Sequence, residues 1–374
     1  MLYNQIKSIL PHFGFEGEYQ TAEELLSGNV NGTYHLKYYA RDKKHEYILQ
    51  RINSYVFQSP ENIMRNIEMV TGHIRRNLEL AGIPSTRHVL ELVPTHEGGY
   101  LYKDRQGEYW RAYKYIDHAV AYDTVDDPEL LREVGRGFGN FQRMLYDFPA
   151  EKLFVPIPNF HNTIKRFYAF VRSVDEDKAH RVRLVEDEIE FFFEHRRMMS
   201  QIVTLLDNGT LPLRVTHNDT KSNNVMVDEE TGKSICVIDL DTVMPGSSLY
   251  DYGDAVRFGA STAAEDEPDT MRIALDLDKT RAFTKGFLEE TNGILSQAEL
   301  RRLPLGIKVI TCELAMRFLT DYIDGDVYFR VNSPQHKLIR ARAQMALLRD
   351  VERKEEQLAD MVADLIAETE TGAK

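Results

Sequence analysis

The sequence predicts an α+β chain of two lobes: an antiparallel sheet in the N-terminal third, then a larger and mainly helical part. Three observations carry this expectation. Up to Ile116, short runs rich in β-branched and aromatic residues, such as 33–39 and 46–52, alternate with turn residues, as hairpin-linked strands do. Beyond Asp117 the apolar residues instead recur at three- and four-residue spacing, for instance Leu131, Val134, Phe138, Phe141 and Leu145, which is the pattern of amphipathic helices. The third observation is a stretch at 215–241, VTHNDTKSNNVMVDEETGKSICVIDLD, that interrupts the helices. Its polar loop is followed by two apolar runs around a Glu-Thr-Gly turn, which reads as a β-hairpin. The expected lobes are 1–116 and 117–374.

In order, 2–10 reads as a short helix stopped by Pro11, and strands follow at 18–22, 33–39 and 46–52 around a polar turn at 27–32. The stretch 64–81 is a helix with Met64, Ile67, Val70, Ile74 and Leu78 on one face. Gly82 and Pro84 end it, the first tolerating a left-handed cap and the second unable to continue a helix. Strands at 89–93, 99–103 and 110–116 complete the sheet. In the second lobe, Asp127-Pro128 opens a helix, and others are expected at 163–174, 184–206, 280–288, 296–300 and 307–321. Phe167, Phe170, Phe191, Phe192 and Phe193 read as core. A helix beginning near 250 carries Asp251 and Asp254 at its positive end, as braces for the preceding loop. The acidic loop 263–269 reads as solvated surface, and 334–368 as one long final helix.

At 374 residues the chain can bury a large core. Its net charge of −13 argues against binding a nucleic-acid backbone, which needs clustered Lys and Arg. No apolar run is long enough to span a membrane. Cys236 and Cys312 lack metal-ligand spacing and sit in apolar contexts, so buried free thiols are expected. The N-terminus is too polar for a signal peptide; a cytoplasmic location is the expectation. Composition is silent on the oligomeric state.

The loop at 217–224 carries the chemistry. Asp219, with Asn224 five positions later and Lys221 between them, has the H-x-D-x-x-x-x-N spacing of kinase catalytic loops. Phosphoryl transfer needs a carboxylate at the acceptor hydroxyl and an amide plus a second carboxylate on Mg²⁺. Asp219, Asn224 and Asp239 supply that set, with Asp239 brought near by the hairpin. His217 reads as a brace for the loop. In the first lobe, Tyr115-Ile116-Asp117 would form a hinge that offers backbone hydrogen bonds to an adenine. Glu68 lies where kinases place the glutamate that pairs with a strand-three lysine.

The blocks YILQRIN, IMRNIEMVT, WRAYKYIDH, LRVTHNDTKSNN, VIDLDTVMPGSSLYDYGDAVRFGAST and MRFLTDYIDGDVYF resemble the aminoglycoside-phosphotransferase and choline-kinase superfamily. Within it they closely resemble the bacterial N-acetylhexosamine 1-kinases, along nearly the whole chain. The resemblance implies a bilobal protein-kinase-like fold that uses ATP and Mg²⁺ to phosphorylate the anomeric hydroxyl of GlcNAc or GalNAc. It implies Asp219 as catalytic base touching the sugar, Lys221 near the γ-phosphate, and Asn224 and Asp239 on the metal. Arg317 and Tyr328 match sugar-contacting positions, and the early turn with Asn29 and Asn31 faces the acceptor. Two departures stand out. A histidine of the relatives' turn is Asn29 here, and Gln50 occupies the place of the phosphate-binding lysine, as in similar relatives. Neutralisation of the phosphates then falls to Mg²⁺, Lys221 and Arg51. The other acceptors to weigh are aminoglycosides, choline, homoserine and other sugars; a non-catalytic binding module is opposed by the complete base and metal set.

Overall fold

Alternation along the early strands sorts two faces of one antiparallel sheet. The computed structural model describes residues 2–25, 30–41, 43–328 and 333–372. In it β1 (Glu18–Leu25), β2 (Gly32–Ala40), β3 (Lys43–Ile52), β4 (Tyr102–Lys103) and β5 (Tyr109–Lys114) lie in the order β1-β2-β3-β5-β4. Tyr34, Leu36, Tyr47, Leu49 and Trp110 form one core with α1 (Leu2–Ile9) and the turn after it. Ile48, Ile52, Tyr109 and Tyr113 face the other way and join α2 (Pro60–Leu80). Cross-strand pairing puts Arg51 opposite Trp110 and Gly32. Arg51 therefore leaves the sheet on the α1-side face, opposite to that of Gln50.

Three first-lobe expectations shift. Helix α2 starts at Pro60, because a proline is well suited to the first helical turn, where its missing N–H is not needed. The strand expected at 89–93 makes only a bridge between Leu92 and Tyr113, and Pro94, which has no N–H to donate, follows it. Gly98 and Gly99 have φ of 94° and 74° and form a turn, so β4 is confined to two residues.

The second lobe holds β6 (Ala119–Val120), α3 (Pro128–Met144), α4 (Thr163–Glu176), α5 (Glu186–Met199), α6 (Gln201–Asp207), β7 (Arg214–Thr216), β8 (Val225–Asp228), β9 (Ser234–Val237) and β10 (Met244–Gly246). It continues with α7 (Ser248–Gly259), α8 (Leu277–Thr291), α9 (Gln297–Leu300), α10 (Leu303–Ile323), α11 (His336–Arg353) and α12 (Glu355–Gly372). The hairpin is present as β8–β9, with Val225 opposite Val237 and Met226 opposite Cys236. Cys236, Leu240 and Val243 share a core with α2 and with Phe141 and Met144 of α3. That continuity seats the hairpin beneath the sheet. Both cysteines are buried free thiols, and burial pushes the Cys236 thiol up to about 12.

Polar contacts account for two of the remaining differences, at Lys354 and in the acidic loop. The last helix is broken at Lys354, whose Nζ donates to the Leu275 carbonyl (2.6 Å) and to Asp350 (2.7 Å). The expected helix 184–206 begins at Glu186 and is interrupted at Ser200. Phe193 is half exposed, whereas Phe170 and Phe192 are buried. The acidic loop is not simply solvated: Glu265 accepts from Arg257 at 2.9 Å and pairs with Arg340. Arg257 is only 3% exposed, and a buried cation demands such partners. Among the described residues, no helix is long and apolar enough to cross a membrane.

Helices α3 and α8 pack through glycine. A Cβ on Gly286 would collide with the Arg132 carbonyl oxygen, and one on Gly135 with that of Phe283. We predict that Gly286→Ala destabilises the protein by about 1–3 kcal/mol through overpacking. Urea unfolding followed by circular dichroism checks this, and an unchanged midpoint would show that the crossing can open at no cost.

Candidate active site

The loop between β7 and β8 is shaped by buried acceptors that collect its backbone donors. Asp251, in the first turn of α7, accepts from His217 N–H and Asn218 N–H, both at 2.8 Å, and from Gln142 Nε2 at 3.0 Å. Its own carbonyl accepts from Thr220 Oγ1 (2.7 Å), and Asp254 accepts from Thr220 N–H (3.2 Å). His217 donates through Nε2 to the Ile238 carbonyl (2.8 Å), while its Nδ1 accepts the Asp219 N–H (3.3 Å). Both ring nitrogens are thus committed, which makes His217 a brace between loop and hairpin. Asn218 adopts φ 65° and ties Thr216 and Thr242 carbonyls through its amide.

Asp219, Lys221, Asn224 and Asp239 come together at the end of this loop. Lys221 Nζ lies 2.8 Å from Asp219 Oδ1. Burial lowers the lysine pKa, but the Asp219 charge and hydrogen bond outweigh it and leave the group above its ordinary value. Asn224 donates through Nδ2 to the Asp219 carbonyl (2.8 Å) and Oδ2 (3.4 Å), which leaves its own Oδ1 as an oxygen ligand. Asp239 is in a left-handed conformation (φ 59°, ψ 60°) at the end of the hairpin. Its residue is exposed, and among the described residues its carboxylate has no ion-pair partner. The surrounding protein displaces water from that carboxyl, and the charges of Asp241 and Asp219 add to the effect, so its pKa is pushed up to about 6. Hard oxygen donors of this kind, one carboxylate and one amide, suit Mg²⁺ completed by phosphate oxygens and water.

On the first-lobe side, Gln50 and Glu68 have different surroundings. Gln50 donates to Thr33 Oγ1 (3.2 Å) and accepts from Arg111 Nε (2.9 Å), while Glu68 is exposed. A neutral glutamine offers no charge to draw the carboxylate in. Asn31 is held at both ends of its amide: Nδ2 donates to Asp241 (2.6 Å), and Oδ1 accepts Asn53 N–H (3.0 Å), which ties the early turn down. Asn29 lies outside the described residues. Pairing with β3 ends at Tyr115 N–H to Glu46 C=O (3.0 Å), so the Ile116 backbone lies past the ladder. The Tyr115 ring stacks on His35 at 4.4 Å.

A second polar cluster surrounds Glu313 of α10, which is 1% exposed. It meets His161 Nδ1 at 3.0 Å, Arg166 Nε at 3.3 Å and Arg317 Nη1 at 3.8 Å. Both guanidiniums lie over the Phe160 ring. Burial and the neighbouring Arg317 charge bring Arg166 down to about 10. Tyr328, whose N–H is held by Asp321 (2.7 Å), is 60% exposed. His161 packs against Tyr250 at 4.8 Å, next to Asp251. The cluster therefore borders the layer that braces the loop. Sequence reasoning missed Arg166, Glu313, His161 and Arg111. For Arg111 there was a trace: it is a cation at an inward position of a strand whose other inward residues are aromatic.

A sheet-covered loop with one carboxylate, and a second carboxylate at a hairpin end beside it, defines a kinase-like phosphotransferase. Residues 21–287 match the phosphotransferase enzyme family, and the chain belongs to it. It is a small-molecule phosphotransferase. Among solved structures it is similar to a spectinomycin phosphotransferase in complex with ADP and spectinomycin (16% identity, TM-score 0.54, covering 95% of this chain and 98% of that one). It is also similar to the ethanolamine kinase of Plasmodium vivax (15%, 0.55, 92% and 88%) and the choline kinase of Cryptosporidium parvum (11%, 0.58, 98% and 99%). At these identities the likeness is one of fold.

Replacing Asp251 tests the bracing. In Asp251→Asn an amide donor would face one of two buried N–H groups, and leaving one unsatisfied costs about 1–3 kcal/mol. We expect a loss of stability of that order, with turnover reduced in the folded fraction. Thermal unfolding and initial rates measure the two effects. Wild-type values in both would mean the loop holds without this carboxylate.

Proposed function

We propose that this chain transfers the γ-phosphoryl group of ATP to the anomeric hydroxyl of an N-acetylhexosamine. The observation that carries the phosphoryl-transfer chemistry is the grouping of Asp219, Lys221, Asn224 and Asp239 at the end of one braced loop. The sequence blocks shared with the N-acetylhexosamine 1-kinases support the acceptor. In this reading Asp219 takes the proton of the acceptor hydroxyl while its oxygen bonds to the γ-phosphorus and the bond to the ADP oxygen breaks. Lys221 is positioned to meet the negative charge of the transferred group. Asn224 and Asp239 would hold a Mg²⁺ ion, which would supply positive charge against the phosphates. Residues 1–116 cover the nucleotide, with its adenine at the Tyr115 and Ile116 backbone, and 117–374 carry the loop and acceptor site.

The competing reading is a kinase of a cationic alcohol, like the choline and ethanolamine kinases that share the fold. Arg166 and Arg317 favour the sugar. The fixed N–H donors of the two guanidiniums suit hydroxyl and carbonyl oxygens and offer a quaternary amine no acceptor. Mg-ATP with a panel of free hexosamines, hexoses, aminoglycosides, choline, ethanolamine and homoserine decides between them. Phosphorus NMR should show a sugar 1-phosphate. Turnover of choline alone would overturn the acceptor assignment, and no turnover of any alcohol would overturn the enzyme.

Two variants refine the roles. Asp219→Asn is expected to lower kcat by about 10²–10⁴, the usual share of a general base, while Mg-ADP binding measured by calorimetry persists. Near-normal turnover by the folded variant would remove Asp219 from the chemistry. Arg317→Ala should raise the sugar KM by about tenfold or more, since a hydrogen bond from a charged donor contributes about 1.5–3 kcal/mol. The ATP KM should change little, and Glu313 keeps Arg166 and His161 as partners. Equal weakening of both substrates would instead make Arg317 a purely structural ion-pair residue.

A further inference from the structure

We propose that Arg111 is a positioning residue for the nucleotide end of the site, performing from strand β5 the lobe-tying task that a strand-three lysine and Glu68 would otherwise share. The inference rests on the nucleotide-binding reading above. Its starting point is register. Gln50 stands opposite Thr33 on one side and Arg111 on the other, so the three side chains emerge on the same face of the sheet. Arg111 Nε donates to Gln50 Oε1 at 2.9 Å, which aims the guanidinium past Gln50 and out of the sheet. There its two terminal nitrogens meet both oxygens of Asp241: Nη1 pairs with Oδ1, and Nη2 donates to Oδ2 at 2.9 Å. Arg111 is 1% exposed and Asp241 2%.

This fork joins the first-lobe sheet directly to the segment that follows the hairpin. Asn31 adds the early turn to the same carboxylate at 2.6 Å. With Asp241 held from within and Leu240 buried in the core shared with α2, the left-handed Asp239 is left facing outward. The arrangement thus decides which of the two aspartates in the IDLD sequence is offered to a cation. It also accounts for Gln50. A lysine there would set a second cation against Arg111 in a place with almost no water, whereas a glutamine can accept from Arg111 Nε. Only arginine fits the other side, because its planar fork spans two carboxylate oxygens while keeping Nε for Gln50.

The test separates positioning from mere structural support. Arg111→Met alone strands Asp241 as a buried unpaired charge and is expected to melt early. The informative protein is therefore Arg111→Met combined with Asp241→Asn, alongside the conservative Arg111→Lys. We expect the double variant to regain most of the lost melting temperature, yet to bind Mg-ADP about tenfold more weakly by calorimetry, a coupling within the usual range for contacting residues. Its ATP KM should rise by a similar factor with the acceptor KM unchanged, and Arg111→Lys should fall between it and the wild type. A stable double variant with wild-type Mg-ADP affinity and ATP KM would overturn the proposal and leave the pair a structural clasp. If the wild-type protein itself bound no Mg-ADP, the nucleotide reading would fall, and this inference with it.

Discussion

The buried carboxylate of Asp251 is the contact on which the geometry of the site depends. A loop that turns inward must find acceptors for the N–H groups it hides, since a buried unpaired donor is costly. Asp251 takes two of them, and its main chain and Asp254 take Thr220. Burial raises the Asp251 pKa, although the donated N–H bonds of His217 and Asn218 work against that rise. The position of Asp251 is set in turn by α7, which packs so closely on α10 that a Cβ at Gly253 would strike the Gly306 carbonyl. Helix packing far from the loop therefore determines where Asp219 sits.

Three aspartates within one small region have different roles because their neighbours differ. Asp219 has a lysine on one oxygen and the Asn224 amide near the other. Asp241 is wholly taken up by Arg111 and Asn31. Asp239 has neither cation, and its carboxyl resists ionisation while nothing positive is bound. Electrostatic neighbours, more than residue type, assign the chemistry.

The same logic holds at Glu313. One buried carboxylate organises His161, Arg166 and Arg317, and the aromatic face of Phe160 supports both arginines. A parallel arrangement at Glu265 joins Arg257 and Arg340 and extends the Asp254 brace outward. The second lobe is thus laced by buried or half-buried ion pairs whose members come from different helices.

What the sequence by itself determined is whatever short-range physics encodes. The spacing of Asp219, Lys221 and Asn224, the hairpin after them, the apolar stripe of α2 and the Ser296–Glu299 capping box all depend on neighbours a few residues apart. The tertiary structure decided the partners. Arg111 and Asp241 are 130 residues apart, Asn31 and Asp241 210, and His161 and Glu313 152, and no local pattern marks such pairs. The breaks at Ser200 and Lys354 belong here too, because the apolar periodicity runs through them and the contacts that bind Lys354 come from Leu275. Local periodicity specifies an element and its buried face, but which charges meet across that face depends on how the faces are brought together.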